Sequence, residues 1–208
     1  MRIRTLCCTA LIAGLALGSL ACGGGNSQSP AAKKAPAIKV GLLLDTQHER
    51  WERDRDLIAE EVTDMGGELL VDWAEGNQAR QNEQAQKMVD AGASALLVVA
   101  HDTEHASPVV DAAKAKKIPV ISYDRLIKNA DVDLYIGFDV LKVGRLQAQF
   151  LLARAPKGNY ILIGGAEHDG NAKIVREGQM EILEPAVKSG AIRIVHEGWA
   201  QNWTAEQA

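Results

Sequence analysis

Cysteine is nearly missing from this 208-residue chain, and none stands beyond position 22. The three are Cys7, Cys8 and Cys22. The remainder therefore offers no internal disulfide, no thiolate-built zinc site and no catalytic cysteine. Basic residues are also scarce, with 23 Lys and Arg against 27 Asp and Glu. There is no basic tract, so nucleic acid has little to hold. The apolar stretch Leu6–Leu20 is too short to span a bilayer. Catalytic constellations are lacking as well. No G-x-S-x-G occurs, and none of the five histidines has an obvious serine partner. Paired carboxylates exist, but one sequence does not give the separation that glycoside chemistry requires. Binding, not catalysis, is the expectation, with no cofactor and no metal.

Arg2 and Arg4 precede the apolar stretch, the layout of an export signal. The stretch ends in Ser19-Leu20-Ala21-Cys22, which resembles the lipobox of bacterial lipoproteins. That resemblance implies a signal peptide over residues 1–21 and acylation of Cys22. A plain secretory signal cut elsewhere is the alternative. Removing residues 1–21 leaves 21 basic and 27 acidic residues, a net charge of about −6. Residues 22–37 are dominated by Gly, Ser, Pro, Ala and Lys, the composition of a flexible tether.

From Ile38 onward, apolar runs alternate with helical periodicity, as in a parallel sheet wrapped by helices. Strands are expected at Ile38–Leu44, Glu68–Trp73, Ala95–Val99, Pro119–Ser122 and Leu134–Phe138. Helices are expected at Arg50–Met65, Gln78–Ala91 and Thr103–Lys116. In the first helix Trp51, Leu57, Ile58, Glu61, Val62 and Met65 form the apolar stripe, and Arg53, Asp56 and Glu60 face water. Gly66-Gly67 and Gly92 supply left-handed stops. The pattern then restarts with a helix at Leu141–Leu152, a strand at Tyr160–Ile163, a helix at Asn171–Val187 and a strand at Ile192–His196. The final residues, Trp203 to Ala208, read as the opening of another helix. Two strands are poor support for helices on both faces, so the expectation is an incomplete second lobe.

Open α/β sheets bind ligands beyond the carboxyl ends of their strands. The strand ends here carry Asp45 with Arg50-Trp51, His101-Asp102, Asp124-Arg125 and Asp139. In the second run they carry His168-Asp169-Gly170-Asn171-Ala172-Lys173, then Trp199 and Trp203. Carboxylates accept from hydroxyls, guanidinium groups donate, and indoles cover the apolar face of a polyhydroxylated ring. Helix capping explains Asp102 and Asp139, and a capping acid beside a half-buried indole explains Asp45 and Trp51 equally well. It does not explain Arg125, because a cation at a helix N-terminus opposes the dipole.

Two motifs fail on context. His101-Asp102-Thr103-Glu104-His105 fits H-x-x-E-H, but it begins at a strand end, where the imidazoles need not share a face, and it reads as a solvated loop pair. Gly165 to Gly170 has the spacing of a phosphate loop, but Asn171-Ala172 replace the required Lys and Ser/Thr, and Glu167 and Asp169 would repel phosphate.

The segments HERWERDRD (His48–Asp56), ISYDRLIKNADVDLYIGFD (Ile121–Asp139), KVGRLQAQ (Lys142–Gln149), GNYILIGG (Gly158–Gly165), DGNAK (Asp169–Lys173), REGQM (Arg176–Met180) and GWAQNW (Gly198–Trp203) resemble the periplasmic sugar-binding proteins of the ribose/galactose/xylose type, and within them the xylose-type branch. The resemblance runs from Ile38 to Ala208. It implies two Rossmann-like lobes of parallel sheet wrapped by helices, closing on one sugar across a hinge, a motion for which such proteins are a standard example. It divides the chain into an N-terminal lobe at 38–139 and the start of a C-terminal lobe at 140–208. By position it implies Arg50 and Trp51 as first-lobe contacts, and Asp124 and Arg125 as the pair holding ring hydroxyls. Asp169, Asn171 and Lys173 become second-lobe contacts, and Trp203 the ring on the opposite face. It further implies a monomeric, lipid-anchored periplasmic receptor for a monosaccharide, D-xylose first, serving an ABC permease and its ATPase. The alternative partner is a chemoreceptor or sensor kinase.

Overall fold

The computed structural model describes residues 38–208. The export signal, the tether and Cys22 lie outside the described residues. Five strands form a wholly parallel sheet in the order β2-β1-β3-β4-β5: β1 Lys39–Leu44, β2 Glu68–Trp73, β3 Ala95–Val98, β4 Val120–Tyr123 and β5 Leu134–Ile136. Three helices cross between successive strands: α1 Glu49–Asp64, α2 Gln78–Asp90 and α3 Ser107–Lys114. Alternation along the strands feeds two cores. Leu43, Leu96, Val98 and Val120 pack with α2 and α3 through Met88, Val89, Val109 and Val110. Leu42, Leu44 and Val99 meet Trp51 of α1 on the other face. Near-continuous apolar runs are what a sheet covered on both faces demands.

A second, two-stranded parallel sheet follows, with β6 Gly158–Gly164 beside β7 Ile192–Trp199. Helices α4 Val140–Arg154 and α5 Gly170–Lys188 accompany it. Tyr160, Leu162, Leu183, Ile192 and Ala148 make its core. The alternate positions Ile161 and Ile163 are exposed. Two glycines let α4 and α5 touch backbone to backbone. A Cβ on Gly144 would lie 2.1 Å from the Val175 carbonyl oxygen, and one on Gly178 would lie 2.1 Å from that of Leu141. No described helix is long and apolar enough to cross a membrane.

Three expectations need correction. The helix expected over Thr103–Lys116 is shorter, because Thr103–Ala106 form a turn and Pro108 fits only the first turn of a helix. Leu57 and Met65, placed on the apolar stripe of α1, are 55% and 69% exposed, while Trp51 and Val62 are buried. The last residues form two short 3₁₀ turns, Gln201–Trp203 and Ala205–Gln207, instead of the start of an α-helix. The stops hold: Gly66 and Gly92 are left-handed, at φ 76° and 82°.

Candidate functional site

Strand order β2-β1-β3 reverses direction at β1, and the crevice of an open α/β sheet lies at such a switch point. Gln81 of α2, fully buried, fills the gap where β1 and β3 diverge. Its Nε2 donates to the carbonyls of Val99 at 3.0 Å and Leu44 at 3.4 Å, and its Oε1 accepts from the His101 amide at 3.1 Å. This fixes Asp45 and His101 just past the two strand ends.

Asp45, 2% exposed, is held on both oxygens. His101 Nδ1 lies 2.6 Å from Oδ1, and Arg125 Nη1 donates to Oδ2 at 2.6 Å. Burial pushes the Asp45 carboxyl up, but the His101 hydrogen bond and the Arg125 charge outweigh it and hold it below the usual range. Arg125, 3% exposed, also donates to the Ala100 carbonyl at 3.0 Å. Its Nε stands 2.9 Å from Asp169 Oδ2, close enough for ion pairing although not aligned for a hydrogen bond. Asp169 caps α5 by accepting from the Asn171 amide at 2.8 Å, and its Oδ2 accepts from Trp203 Nε1 at 3.1 Å. One guanidinium thus links a carboxylate of the first sheet to one of the second.

Asp124 forms a parallel link. Its Oδ1 accepts from Arg50 Nη2 at 2.5 Å, and Asn171 Nδ2 donates to its backbone carbonyl at 2.9 Å and to Oδ2 at 3.3 Å. Asp124 has φ 62°, a left-handed conformation that Asp tolerates better than most residues. The Arg50 guanidinium lies 4.2 Å from the Trp51 ring centroid, in cation–π range.

These groups line a cavity of about 360 Å³ together with Phe138, Val140, Val143, Val175 and Asn202. Of the residues expected from the sequence, Arg50, Trp51, Asp124, Arg125, Asp169, Asn171 and Trp203 are brought together there. Lys173 is not among the lining residues. It is exposed, and behind the hydrogen bond from Lys128 its charge helps hold the Glu104 carboxyl low. Trp51 is buried in the α1 core with one edge on the cavity, whereas Trp203 is 44% exposed.

Asp139 caps α4 as expected, accepting from the Lys142 amide, but Asp102 caps no helix: α3 starts only at Ser107, and Asp102 closes the preceding turn by accepting from the Glu104 amide. Arg125 stands at no helix N-terminus, contrary to expectation, since a loop to β5 follows β4. Ion pairing on two sides is what buries it. His101 is no solvated loop residue either, being 8% exposed, while His105 turns away to Asp102. The H-x-x-E-H reading therefore fails on geometry. Phe138, Val143 and Val175 carry no polar signature and could not be singled out from sequence.

A family model described as "Periplasmic binding protein domain" matches residues 40–208. The chain belongs to that family, one of binding proteins and not, in general, of enzymes. It is 42% identical over 172 residues to the D-xylose-binding periplasmic protein of Haemophilus influenzae, a match covering 82% of this chain and 52% of that protein. It is 40% identical over 178 residues to the D-xylose-binding periplasmic protein of Escherichia coli, covering 85% of this chain and 54% of the relative. Among solved structures it resembles a carbohydrate transporter solute-binding protein from Chloroflexus aurantiacus in complex with D-glucose. The TM-score is 0.70 and the identity 34%, over 76% of this chain and 48% of that one. The chain spans about half the length of the curated relatives it matches.

Proposed function

We propose that this chain captures a monosaccharide, D-xylose first among candidates, between an N-terminal lobe at 38–139 and a second lobe beginning at 140, and hands it to an ABC permease and its ATPase. The observation that carries this reading is the double polar link across the cavity, Asp45–Arg125–Asp169 and Arg50–Asp124–Asn171, flanked by Trp51 and Trp203. Every partner in it can exchange a protein hydrogen bond for a ring hydroxyl, and the indoles supply apolar cover. A cavity of about 360 Å³ is at the small end of ligand pockets, which suits one sugar ring. Both curated relatives above are D-xylose-binding proteins, which supports a pentose ahead of a hexose.

Two indole contacts at ~1 kcal/mol each and several charge-assisted hydrogen bonds at ~1.5–3 kcal/mol support micromolar or tighter affinity. Isothermal calorimetry should show D-xylose preferred over D-glucose and D-ribose, with the heat lost in Arg125→Met. Equal or absent heats for all three sugars would overturn the proposal. A neighbouring lone sensor kinase or chemoreceptor gene, in place of a permease and ATPase, would assign the same cleft to sensing.

Acylation of Cys22, with retention at the membrane, is the second part of the proposal. Labelled palmitate should enter the wild-type protein and not Cys22→Ala, which should be released as a soluble monomer. Labelling that survives the substitution would remove the anchor from the picture.

A further inference from the structure

At the edge of the cavity Asp45, a member of the polar link described above, and two histidines not assigned to sugar, His101 and His168, each present one donor atom within 4.8 Å of the other two. They come from three elements. Asp45 follows β1, His101 follows β3, and His168 lies in the loop between β6 and α5. The two imidazole centroids are 4.2 Å apart, their planes tilted by 40°. His168 Nε2 is buried and finds no hydrogen-bond partner among the described residues. A buried imidazole nitrogen left bare is costly unless something occupies it.

We infer that Asp45 Oδ1, His101 and His168 form a site for one borderline divalent transition metal ion of the zinc class, seated where the two sheets meet. Two imidazoles and a carboxylate are the ligand set that zinc, copper and nickel favour, whereas magnesium and calcium prefer oxygen alone. With three protein ligands, water completes a tetrahedron.

The surroundings are built as metal sites are. Arg125 takes Asp45 Oδ2, orienting the carboxylate and leaving Oδ1 toward His101. Asp169 on the far side of Arg125 offsets the guanidinium charge. Gln81 fixes the backbone beside both first-sheet ligands. Thr103 N–H donates to the His168 carbonyl at 3.4 Å, holding the third ligand against them. On binding, the ion replaces the proton shared by Asp45 Oδ1 and His101 Nδ1. That proton moves to His101 Nε2, so the ring stays neutral. The cluster shares no residue with H-x-x-E-H beyond His101.

The test uses the full chain with Cys7, Cys8 and Cys22 alkylated, so that thiolates cannot compete. Titration with Zn²⁺ should show one saturable site per chain, and Mg²⁺ at the same concentration none. Loss of an outer-shell partner alone weakens metal affinity by ~10–100-fold. His101→Asn and His168→Asn, which remove ligands, should lose at least that much, while His105→Asn should not change it. Electron paramagnetic resonance of the Cu²⁺ form of the wild-type sequence should show nitrogen coupling from two imidazoles, and it decides the matter should either variant fail to fold. No saturable Zn²⁺ site, equal binding of Mg²⁺, affinity that follows His105 instead of His168, or coupling to fewer than two imidazoles would each overturn the assignment. Because the ion is titrated without sugar, this result is independent of the calorimetric test of D-xylose.

Discussion

Tyr123, at the end of β4, shows how one hydroxyl ties the sheet to α1. Its OH donates to Asp54 Oδ2 at 2.9 Å, and its ring meets the edge of Trp51 with centroids 6.3 Å apart. Burial and then the Asp54 hydrogen bond push the Tyr123 phenol from its ordinary 10.0 up to about 12. A group whose folded pKa is raised stabilises the fold fully below its unfolded pKa and ceases to do so as pH rises through the folded one. The contribution of Tyr123 is therefore complete below pH 10 and vanishes toward pH 12. Ultraviolet titration should find a late-ionising tyrosine that disappears in Tyr123→Phe, and the variant should lose the alkaline step in stability between those limits. Burial raises Tyr135 as well, so one late tyrosine stays in the variant; an unchanged number of late tyrosines would assign this one elsewhere. At this scale the sequence was legible where chemistry is local: Asp139 caps the helix beside which it stands. It was opaque where partners are far apart. His101 and Asp45 are 56 residues apart, and only the pairing of β1 with β3 brings them within 2.6 Å.

Helices α4 and α5 are packed so closely that side-chain size at two positions sets their separation. Gly144→Ala or Gly178→Ala would drive a methyl into a backbone carbonyl, which cannot rotate away as a side chain can. Overpacking of this kind costs typically ~1–3 kcal/mol. Chemical denaturation should show each variant less stable by that order. The double variant should fall short of the sum, because one displacement of the helices relieves both clashes. A neutral effect at either position would mean that the helices are more loosely held than described. Elements were the most readable level of this chain. β2 runs from Glu68 to Trp73 and α2 begins at Gln78, both as expected. The errors have specific sources. Thr103–Ala106 looked helical until Pro108 is given its place in the first turn, and Leu57 and Met65 fit the helical period without a surface to cover them.

At the scale of the molecule, each apolar cluster among the described residues draws its members from one sheet and its helices, and none of these clusters spans both. Among the described residues, the contacts between the two sheets include the ion pair of Arg125 with Asp169, the hydrogen bonds of Asn171 with Asp124 and of the Thr103 amide with the His168 carbonyl, and the stacked imidazoles of His101 and His168. The family resemblance anticipated the ligand-facing edge of this seam, but sequence periodicity could not show that the seam lacks an apolar core of its own. This has a thermal consequence. Exposing apolar surface raises heat capacity by about 0.45 cal/K/mol per Å², and exposing polar surface lowers it by about 0.26. Parting such a seam hydrates charge and amide, not aliphatic carbon. A sugar that closes it should therefore bind with a modest change in heat capacity, set by the indole faces of Trp51 and Trp203 and by the cavity-lining Phe138, Val143 and Val175, so that calorimetry at several temperatures should find a binding enthalpy that changes little between them.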